Sequence, residues 1–198
     1  MTKRFLDLLL AIVGLLLTSP VFLLIAILIK RGDRGPIFYC QVRVGRHNKL
    51  FHIFKFRTMI RGADRAGPAI TAAGDSRITP VGRWLRKTKL DELPQLWNVL
   101  RGEMSFVGPR PEVPKYVALY SPEQRHVLIL KPGITDEASL TFRNEEELLA
   151  AAPDREKFYI ETCMPAKLEL NLSYARQATL WRDINVIIKT FLVIWLRR

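Results

Sequence analysis

The sequence predicts an α+β protein that is mostly helical and is held to a membrane by its N-terminal end. A long apolar run from Phe5 to Ile29 stands at the start of the chain, and it is long enough to form a membrane helix. One pair of extended segments and several helical patterns follow it. We therefore expect a membrane helix in residues 1–31 and a small α/β domain in residues 32–198, with amphipathic helices at the membrane interface.

The apolar run is interrupted at its centre by Thr18, Ser19 and Pro20. Proline removes a backbone donor and bends a helix, and the two hydroxyl groups can satisfy the freed backbone groups. Basic pairs flank the run on both sides, so the positive-inside tendency selects no direction for a single span. A kinked membrane span and a re-entrant hairpin that returns to the same face remain equal alternatives. A signal peptide fits poorly, because Lys30-Arg31 stands where small residues should precede a cleavage site.

The charge of the chain indicates an anionic partner. The 198 residues carry a formal net charge of +12 at pH 7, and the basic excess is concentrated between Lys30 and Lys89. Lipid head groups and phosphorylated substrates fit this excess. We expect no nucleic-acid partner, because no basic helix carries interleaved stacking aromatics. The two cysteines, Cys40 and Cys163, lack metal-ligand spacing and are expected to be reduced and structural.

The remaining elements are predicted from periodicity and turn residues. Extended segments with a turn at Gly45–Lys49 are expected within Ile37–Met59, and a flexible loop is expected at Arg61–Gly74. The other predicted elements are a helix within Asp75–Lys89, a short helix at Leu90–Leu100, a helix at Tyr116–Leu130, an extended segment at Ile134–Phe142, an acidic helix at Glu145–Ala152 and a helical stretch at Ala166–Arg198.

The last helix has an apolar face, and basic residues stand around it. A helix of this kind either lies in the membrane interface or packs against the folded domain, and the pattern leaves both alternatives open. The apolar face consists of Ile184, Ile187, Ile188, Phe191, Leu192 and Trp195, and the basic residues are Lys189, Arg197 and Arg198.

Two adjacent carboxylates, Asp91 and Glu92, stand where a helix should begin, because Pro94 is tolerated only in a first turn. A helix N-terminus stabilises an ionised carboxylate, which is the form that a nucleophile or a metal ligand needs. An acidic N-cap without catalytic function is the alternative. The surrounding cations favour a site for a phosphate-rich substrate with a divalent metal ion such as Mg²⁺, since guanidinium groups clamp phosphate oxygens.

Four cations are candidates for contacting such a substrate. Lys55 and Arg57 share one face of an alternating strand, and Arg86 lies just before the carboxylates. Arg110 stands between Pro109 and Pro111, which fix the backbone and hold its head group in place. Ion pairing within the fold is the alternative for each. The three histidines, His47, His52 and His126, show no catalytic spacing.

Taken together, these stretches resemble the monotopic phosphoglycosyl transferases, also called bacterial sugar transferases. Each motif alone is weak, but the ordered set is specific and covers nearly the whole chain. The motifs are Ser19-Pro20, Gly35-Pro36-Ile37-Phe38, Gln41 to Gly45, Phe54 to Met59, Leu90 to Leu96, Met104 to Pro111 and Lys131 to Thr135.

The resemblance implies a re-entrant helix hairpin broken at Ser19-Pro20. It also implies that Asp91 is the nucleophile, attacking the β-phosphate of a UDP-sugar to give a covalent phospho-sugar aspartate and UMP. Polyprenyl phosphate, typically undecaprenyl phosphate, would then take the phospho-sugar, at the cytoplasmic face of the bacterial inner membrane. Glu92 would position metal and substrate, with Mg²⁺ held by both carboxylates.

The resemblance further implies that Arg110 contacts nucleotide or phosphate. Arg86, Lys55 and Arg57 are implied as further anion contacts, with membrane lipids as partners. The chain corresponds to the minimal form of the family, and a homodimer is an open expectation. Asn48 and the segment Asp136-Glu137-Ala138-Ser139 depart from the common pattern of the family. The second departure leaves the sugar unassigned.

Overall fold

The computed structural model describes residues 2–63 and 70–195, with the side chains of Ile194 and Trp195 left out. Part of the predicted loop at Arg61–Gly74 and the basic residues Arg197 and Arg198 lie outside this range. The strands are β1 Phe38–Val44, β2 Leu50–Phe56, β3 Ser105–Val107 and β4 Gly133–Thr135. The helices are α1 Thr2–Asp33, α2 Pro80–Thr88, α3 Gln95–Arg101, α4 Pro114–Val117, α5 Glu137–Thr141, α6 Glu145–Ala151, α7 Arg155–Phe158, α8 Met164–Arg176 and α9 Leu180–Trp195. The described fold is thus mostly helical α+β, as predicted.

The first two strands form the predicted antiparallel hairpin, with Phe38 opposite Phe56 and Val44 opposite Leu50. His47 and Asn48 in its turn have positive φ angles of 55° and 60°. Asparagine tolerates this left-handed conformation better than most residues, so the turn accommodates the departure at Asn48.

Strands β3 and β4 are parallel, and they bring two loops into close backbone contact. A Cβ atom added to Gly133 would lie 2.2 Å from the backbone nitrogen of Gly108. Only glycine fits at this approach, which places the loop that begins at Gly108 directly beside β4.

Helix α1 is continuous from Thr2 to Asp33, with Pro20 inside it. The Ser19 hydroxyl donates to the carbonyl of Leu16 at 2.9 Å, which is the carbonyl that Pro20 cannot serve. Thr18 donates to the carbonyl of Gly14 at 2.6 Å. The hydroxyl groups therefore satisfy backbone groups around the proline, as the sequence predicts. By length and composition, α1 is the one described helix that could cross a membrane.

Both ends of α1 pack on the rest of the protein. Near its start, the buried Asp7 accepts hydrogen bonds from the hydroxyl of Ser105 and the backbone N–H of Phe106. Near its end, Ile25 is fully buried in a cluster with Phe56. Between these contacts, exposed leucines project from the helix: Leu16 is 70% exposed, and Leu17, Leu23 and Leu24 are also exposed.

Helix α2 approaches the segment that follows β2 at very short distance through Gly82. Thr79 caps α2 by accepting a hydrogen bond from the Gly82 N–H at 2.9 Å, and Pro80 occupies the first turn. A Cβ atom on Gly82 would lie 1.9 Å from the carbonyl oxygen of Thr58. This contact brings the side of α2 that carries Arg86 against Thr58, just after β2.

We expect Gly82→Ala to destabilise the fold by about 1–3 kcal/mol, because the backbone of Thr58 must move to admit the methyl group. Gly32→Ala is the matched control, since it lies in a helix and a Cβ atom there meets nothing within 4 Å. Alanine at residue 32 should stabilise the helix relative to glycine by up to about 1 kcal/mol. Thermal unfolding in detergent would compare the two, and equal stability of both variants would contradict the close approach.

Three predicted elements differ in the structure. The helix predicted at Tyr116–Leu130 is split into α4 and a 3₁₀ segment at Gln124–Ile129. The extended segment predicted at Ile134–Phe142 is wrong beyond Thr135, because the Asp136 carboxylate accepts from the N–H of Ser139 and caps α5. The C-terminal helical stretch is broken between α8 and α9, where the Thr179 hydroxyl accepts from the N–H of Arg182 and caps α9.

Candidate active site

The two carboxylates lie in a single 3₁₀ turn, Leu90–Glu92, between α2 and α3. The turn starts from Lys89, whose φ of 58° ends α2. Pro94 then precedes the first residue of α3, and its side chain makes no capping hydrogen bond. The interpretation of the pair as an acidic N-cap is therefore wrong, because neither carboxylate caps a helix.

The Glu92 carboxylate is clamped by two cations. Arg110 donates to it through both terminal nitrogens, with Nη1 3.2 Å from Oε2 and Nη2 bonded to Oε1. Lys55 Nζ donates to Oε1 at 2.9 Å. Burial alone would raise the pKa of Glu92, but the charges of Arg110 and Lys55 outweigh it and hold the pKa well below its usual range. Glu92 is thus a fixed anion between two cations.

Asp91 has a different environment, although it is the next residue. Its side chain is buried, and its Oδ1 atom has no hydrogen-bond partner in the described structure. Burial and the charge of Glu92 raise its pKa above the ordinary value, against the opposing charges of Lys55, Lys89 and Arg86. The expected effect of a helix dipole is therefore reversed by burial. Asp91 thus lines the cavity with one carboxylate oxygen that no described protein group engages.

All predicted anion contacts surround one cavity of about 1010 Å³ that also includes both carboxylates. The structure brings these residues together from four separate parts of the chain. The predicted residues that line it are Lys55, Arg57, Arg86, Asp91, Glu92, Pro109, Arg110 and Pro111. The described lining includes none of the three histidines.

Arg57 and Arg86 are positioned by neighbouring elements. Arg57 is buried and paired with Asp33 at the end of α1, and its Nε and Nη1 atoms have no partner in the described residues. A Cβ atom on Gly35 would lie 1.8 Å from Arg57 Nη1, so a side chain there would displace this guanidinium. Arg86 donates from Nε to the Thr58 hydroxyl at 3.0 Å and pairs with Glu146 of α6 at 3.2 Å.

The loop between Pro109 and Pro111 is fixed by its backbone. The N–H of Arg110 donates to the Asp136 carboxylate at 3.0 Å, and the carbonyl of Pro109 accepts from the N–H of Gly133 at 3.0 Å. Asp136 thus holds the arginine loop and caps α5 with the same side chain. The sequence identified Asp136 only as part of a departure from the family pattern, and this positioning role was missed.

A second polar network on the same cavity was also missed. Glu112 pairs with Arg43 at 3.3 Å and accepts a hydrogen bond from the Tyr159 hydroxyl. Tyr159 begins a π-helical segment, Tyr159–Cys163, and burial followed by the charge of Glu112 raises the pKa of its hydroxyl. These partners are far apart in the sequence, and no local pattern signals their contact.

The residues present fit a magnesium ion only in part. Within residues 2–63 and 70–195, no three potential ligand side chains cluster together. Mg²⁺ often uses one or two carboxylates and completes its shell with substrate phosphates and water. Asp91, with its unpartnered Oδ1, fits that pattern, whereas the Glu92 oxygens are engaged by Arg110 and Lys55.

Comparisons with known proteins agree with the motifs. The model of the bacterial sugar transferase family matches residues 1–197. The UDP-N-acetylgalactosamine-undecaprenyl-phosphate N-acetylgalactosaminephosphotransferase of Aeromonas hydrophila is 37% identical over 193 residues, which cover 95% of this chain and 42% of that protein. The undecaprenyl-phosphate galactose phosphotransferase of Salmonella typhimurium is 36% identical over 211 residues, which cover 99% of this chain and 40% of that protein.

A relative of more similar length also matches. The exopolysaccharide production protein ExoY of Sinorhizobium fredii is 34% identical over 212 residues, covering 100% of this chain and 87% of that protein. The chain therefore spans less than half of the two longer relatives and most of ExoY. The match over residues 1–197 includes α1, the carboxylate turn and the arginine loop. By this match, the chain belongs to the bacterial sugar transferase family.

Proposed function

We propose that this protein transfers a phospho-sugar from a UDP-sugar to polyprenyl phosphate, giving a polyprenyl diphospho-sugar and UMP. The observation that carries the proposal is the contrast within the carboxylate pair. Glu92 is held by two cations, while Asp91 next to it lines the same cation-rich cavity and has one oxygen without a partner among the described residues. Relatives named as transferases acting on undecaprenyl phosphate support the same reaction.

In the first step, an oxygen of the ionised Asp91 carboxylate attacks the β-phosphorus of the UDP-sugar. The bond from this phosphorus to the oxygen that bridges the two phosphates breaks, and UMP leaves with the electron pair. The product is a phospho-sugar joined to the Asp91 carboxylate as an acyl phosphate, as expected for covalent catalysis. Arg110 and Lys55 line the same cavity as the reacting carboxylate. We assign them the role of stabilising the negative charge that develops on the phosphate oxygens.

In the second step, an oxygen of polyprenyl phosphate attacks the same phosphorus. The bond to Asp91 breaks, the carboxylate is regenerated and the diphosphate linkage of the lipid product is formed. Neither step needs a proton if the acceptor phosphate is a dianion. Because UMP leaves before the acceptor reacts, the kinetics should be ping-pong.

The proposal includes Mg²⁺, which would neutralise charge on the diphosphate of the donor. Asp91 and the phosphates of the donor would hold it, together with water. We assign Glu92 to positioning rather than to metal ligation, because its oxygens already accept hydrogen bonds from Arg110 and Lys55. Its role is to keep these two cations beside Asp91.

We further propose that α1 enters one leaflet, bends at Ser19-Pro20 and returns, with the domain of residues 32–198 on the cytoplasmic face of the inner membrane. The contacts of Asp7 and Ile25 support this, because both ends of α1 pack on the same folded domain. A helix crossing the whole bilayer would separate its two ends by about 30 Å of hydrocarbon. In lipid, the bend is proposed to form at Ser19-Pro20, where Pro20 removes a backbone donor from the helix.

Helix α9 is proposed to lie at the membrane interface. Trp181 is 80% exposed, and Ile188, Phe191 and Leu192 on the same helix are also exposed. Aromatic and aliphatic side chains of this kind favour the head-group region. A homodimer stays a prediction that the oligomeric state in nanodiscs would test.

The test of the covalent step is exchange of labelled UMP into UDP-sugar in the absence of any acceptor. Protein in nanodiscs would be given Mg²⁺ and a panel of UDP-sugars, and a ping-pong enzyme should catalyse exchange with the sugar it uses. Adding undecaprenyl phosphate should then release UMP in amounts equal to the lipid product. Transfer without exchange would mean direct transfer, and no reaction with any sugar would contradict the proposed function.

A further inference from the structure

A shallow groove lies where α1 ends and the chain turns towards β1. It encloses about 480 Å³. Its lining residues are of two kinds, three apolar and three cationic. They are Ala26, Ile27 and Ile37 on the apolar side, and Lys30, Arg31 and Arg34 on the cationic side. We call this surface the α1 groove.

The three cations of the α1 groove are exposed, and none has a side-chain partner in the described parts of the chain. The acid within this stretch, Asp33, is already engaged by Arg57 and by the N–H of Gly35. The positive charge of the groove is therefore not neutralised by the protein. Three unpaired cations in a pocket of this size match the charge of a phosphate monoester.

The exposed apolar side chains of α1 continue the groove towards the middle of the helix. Leu23 and Ile27 are exposed and lie one helical turn apart, and Lys30 continues the same stripe towards the end of α1. An apolar stripe that ends in cations matches an apolar chain that ends in an anionic head group. The surface therefore has the polarity pattern of a polyprenyl phosphate.

The α1 groove adjoins the active-site cavity. Ile37 lines the groove, while its chain neighbours Pro36 and Phe38 line the cavity. Arg57, which also lines the cavity, is paired with Asp33 beside the groove cations. The α1 groove and the cavity that contains Asp91 are therefore neighbours through this segment of the chain.

We infer that the α1 groove, through Lys30, Arg31 and Arg34, docks the phosphate head group of the lipid acceptor while its prenyl chain lies along the exposed face of α1. This inference rests on the proposed function, because it names the site that the second substrate occupies. An ordinary anionic phospholipid would carry a single diester charge, and three free cations favour the monoester dianion.

The first test uses a triple variant, Lys30→Gln, Arg31→Gln and Arg34→Asn, in nanodiscs of uncharged lipid with graded amounts of undecaprenyl phosphate. Asparagine suits the positive φ of 53° at Arg34. The matched control is Lys49→Gln, Arg155→Gln and Lys157→Gln, which changes the net charge equally at exposed residues outside both cavities. We expect the KM for the acceptor to rise by about tenfold or more only in the groove variant.

The second test needs neither donor nor turnover. A farnesyl phosphate with a photoreactive group should cross-link to peptides spanning residues 26–37 of the wild-type protein. Unlabelled farnesyl phosphate should compete, whereas farnesol and phosphatidylglycerol should not. The groove variant should lose the cross-link, and the control variant should keep it.

An unchanged acceptor KM in the groove variant would overturn the inference. So would an equal rise in both variants, which indicates general surface charge, or equal competition by phosphatidylglycerol, which indicates an ordinary anionic lipid. If wild-type protein shows neither exchange nor transfer, the proposed function fails. The cross-link then decides the inference by itself, because binding is measured without the reaction.

Discussion

Asp91→Asn should abolish transfer, with the rate falling by about 10⁴-fold or more, as for the loss of a nucleophile in covalent catalysis. The amide cannot displace UMP, and it cannot supply the anionic oxygen that the β-phosphorus requires. UMP release, UMP exchange and lipid product should all be lost together. The measurement is the rate of each reaction with saturating UDP-sugar and Mg²⁺.

The control for this variant is its stability. Burial raises the pKa of Asp91, so the ionised carboxylate is unfavourable in the folded state relative to the unfolded chain. Replacing it with a neutral amide should therefore keep or increase the melting temperature. If the stable variant retains exchange, Asp91 is not the nucleophile. If the variant is less stable than the wild type, the buried carboxylate contributes to the stability of the fold.

The same raised pKa sets the pH dependence of the first step. Asp91 must be ionised to attack, so the rate of UMP exchange should fall at acidic pH. In the pH profile of kcat/KM, which reports the enzyme before donor and Mg²⁺ bind, the apparent pKa of this fall should lie above 3.8, the ordinary value for aspartate, because burial and the charge of Glu92 disfavour the ion. Glu92 itself should stay ionised throughout, because its pKa is held well below the usual range. An acidic limb at or below 3.8 would contradict the buried environment.

Local patterns predicted several structural elements around the candidate site. The alternation around Lys55 identified β2, and Pro94 identified the turn that ends at α3. Prolines on both sides of Arg110 indicated a fixed head group, which the structure has on Glu92. These predictions succeeded because each depends on neighbours within a few residues.

The remaining features depend on contacts between distant residues. The parallel pairing of Ser105 with Gly133 joins segments that no periodicity relates. The pairing of Arg43 with Glu112 is equally invisible in the sequence. The cap at Asp136 had a local signal, because aspartate favours helix N-caps, but the preceding extended residues masked it. Burial of Asp91, which decides its pKa, depends on the whole fold.

The second large effect is expected at Glu92, and it is an effect on stability. Glu92→Gln removes the buried anion between Lys55 and Arg110 and leaves two partly buried cations close together. Breaking one partner of a buried charge network costs about 3–5 kcal/mol, because the remaining charges lose their compensation. The free energy of unfolding in denaturant should fall by that amount at pH 7.

The effect should depend on pH in one direction. The folded-state pKa of Glu92 is depressed, so its contribution to stability is present above the unfolded-state value near 4.5 and is lost as the pH falls through the folded-state pKa. The difference between wild type and Glu92→Gln should therefore be largest at neutral pH and shrink in acid. Glu146→Gln is the matched control, because its pair with Arg86 is half exposed.

An exposed pair contributes less than about 1 kcal/mol, so Glu146→Gln should change the unfolding free energy little at any pH. Equal losses in the two variants would mean that Glu92 does not hold its cations in the folded state. A large loss of stability in Glu92→Gln alone would mean that the Glu92 carboxylate supports the fold. Glu92 would then hold the cations in place by its charge, and Asp91, one residue earlier, would keep the free oxygen that reacts.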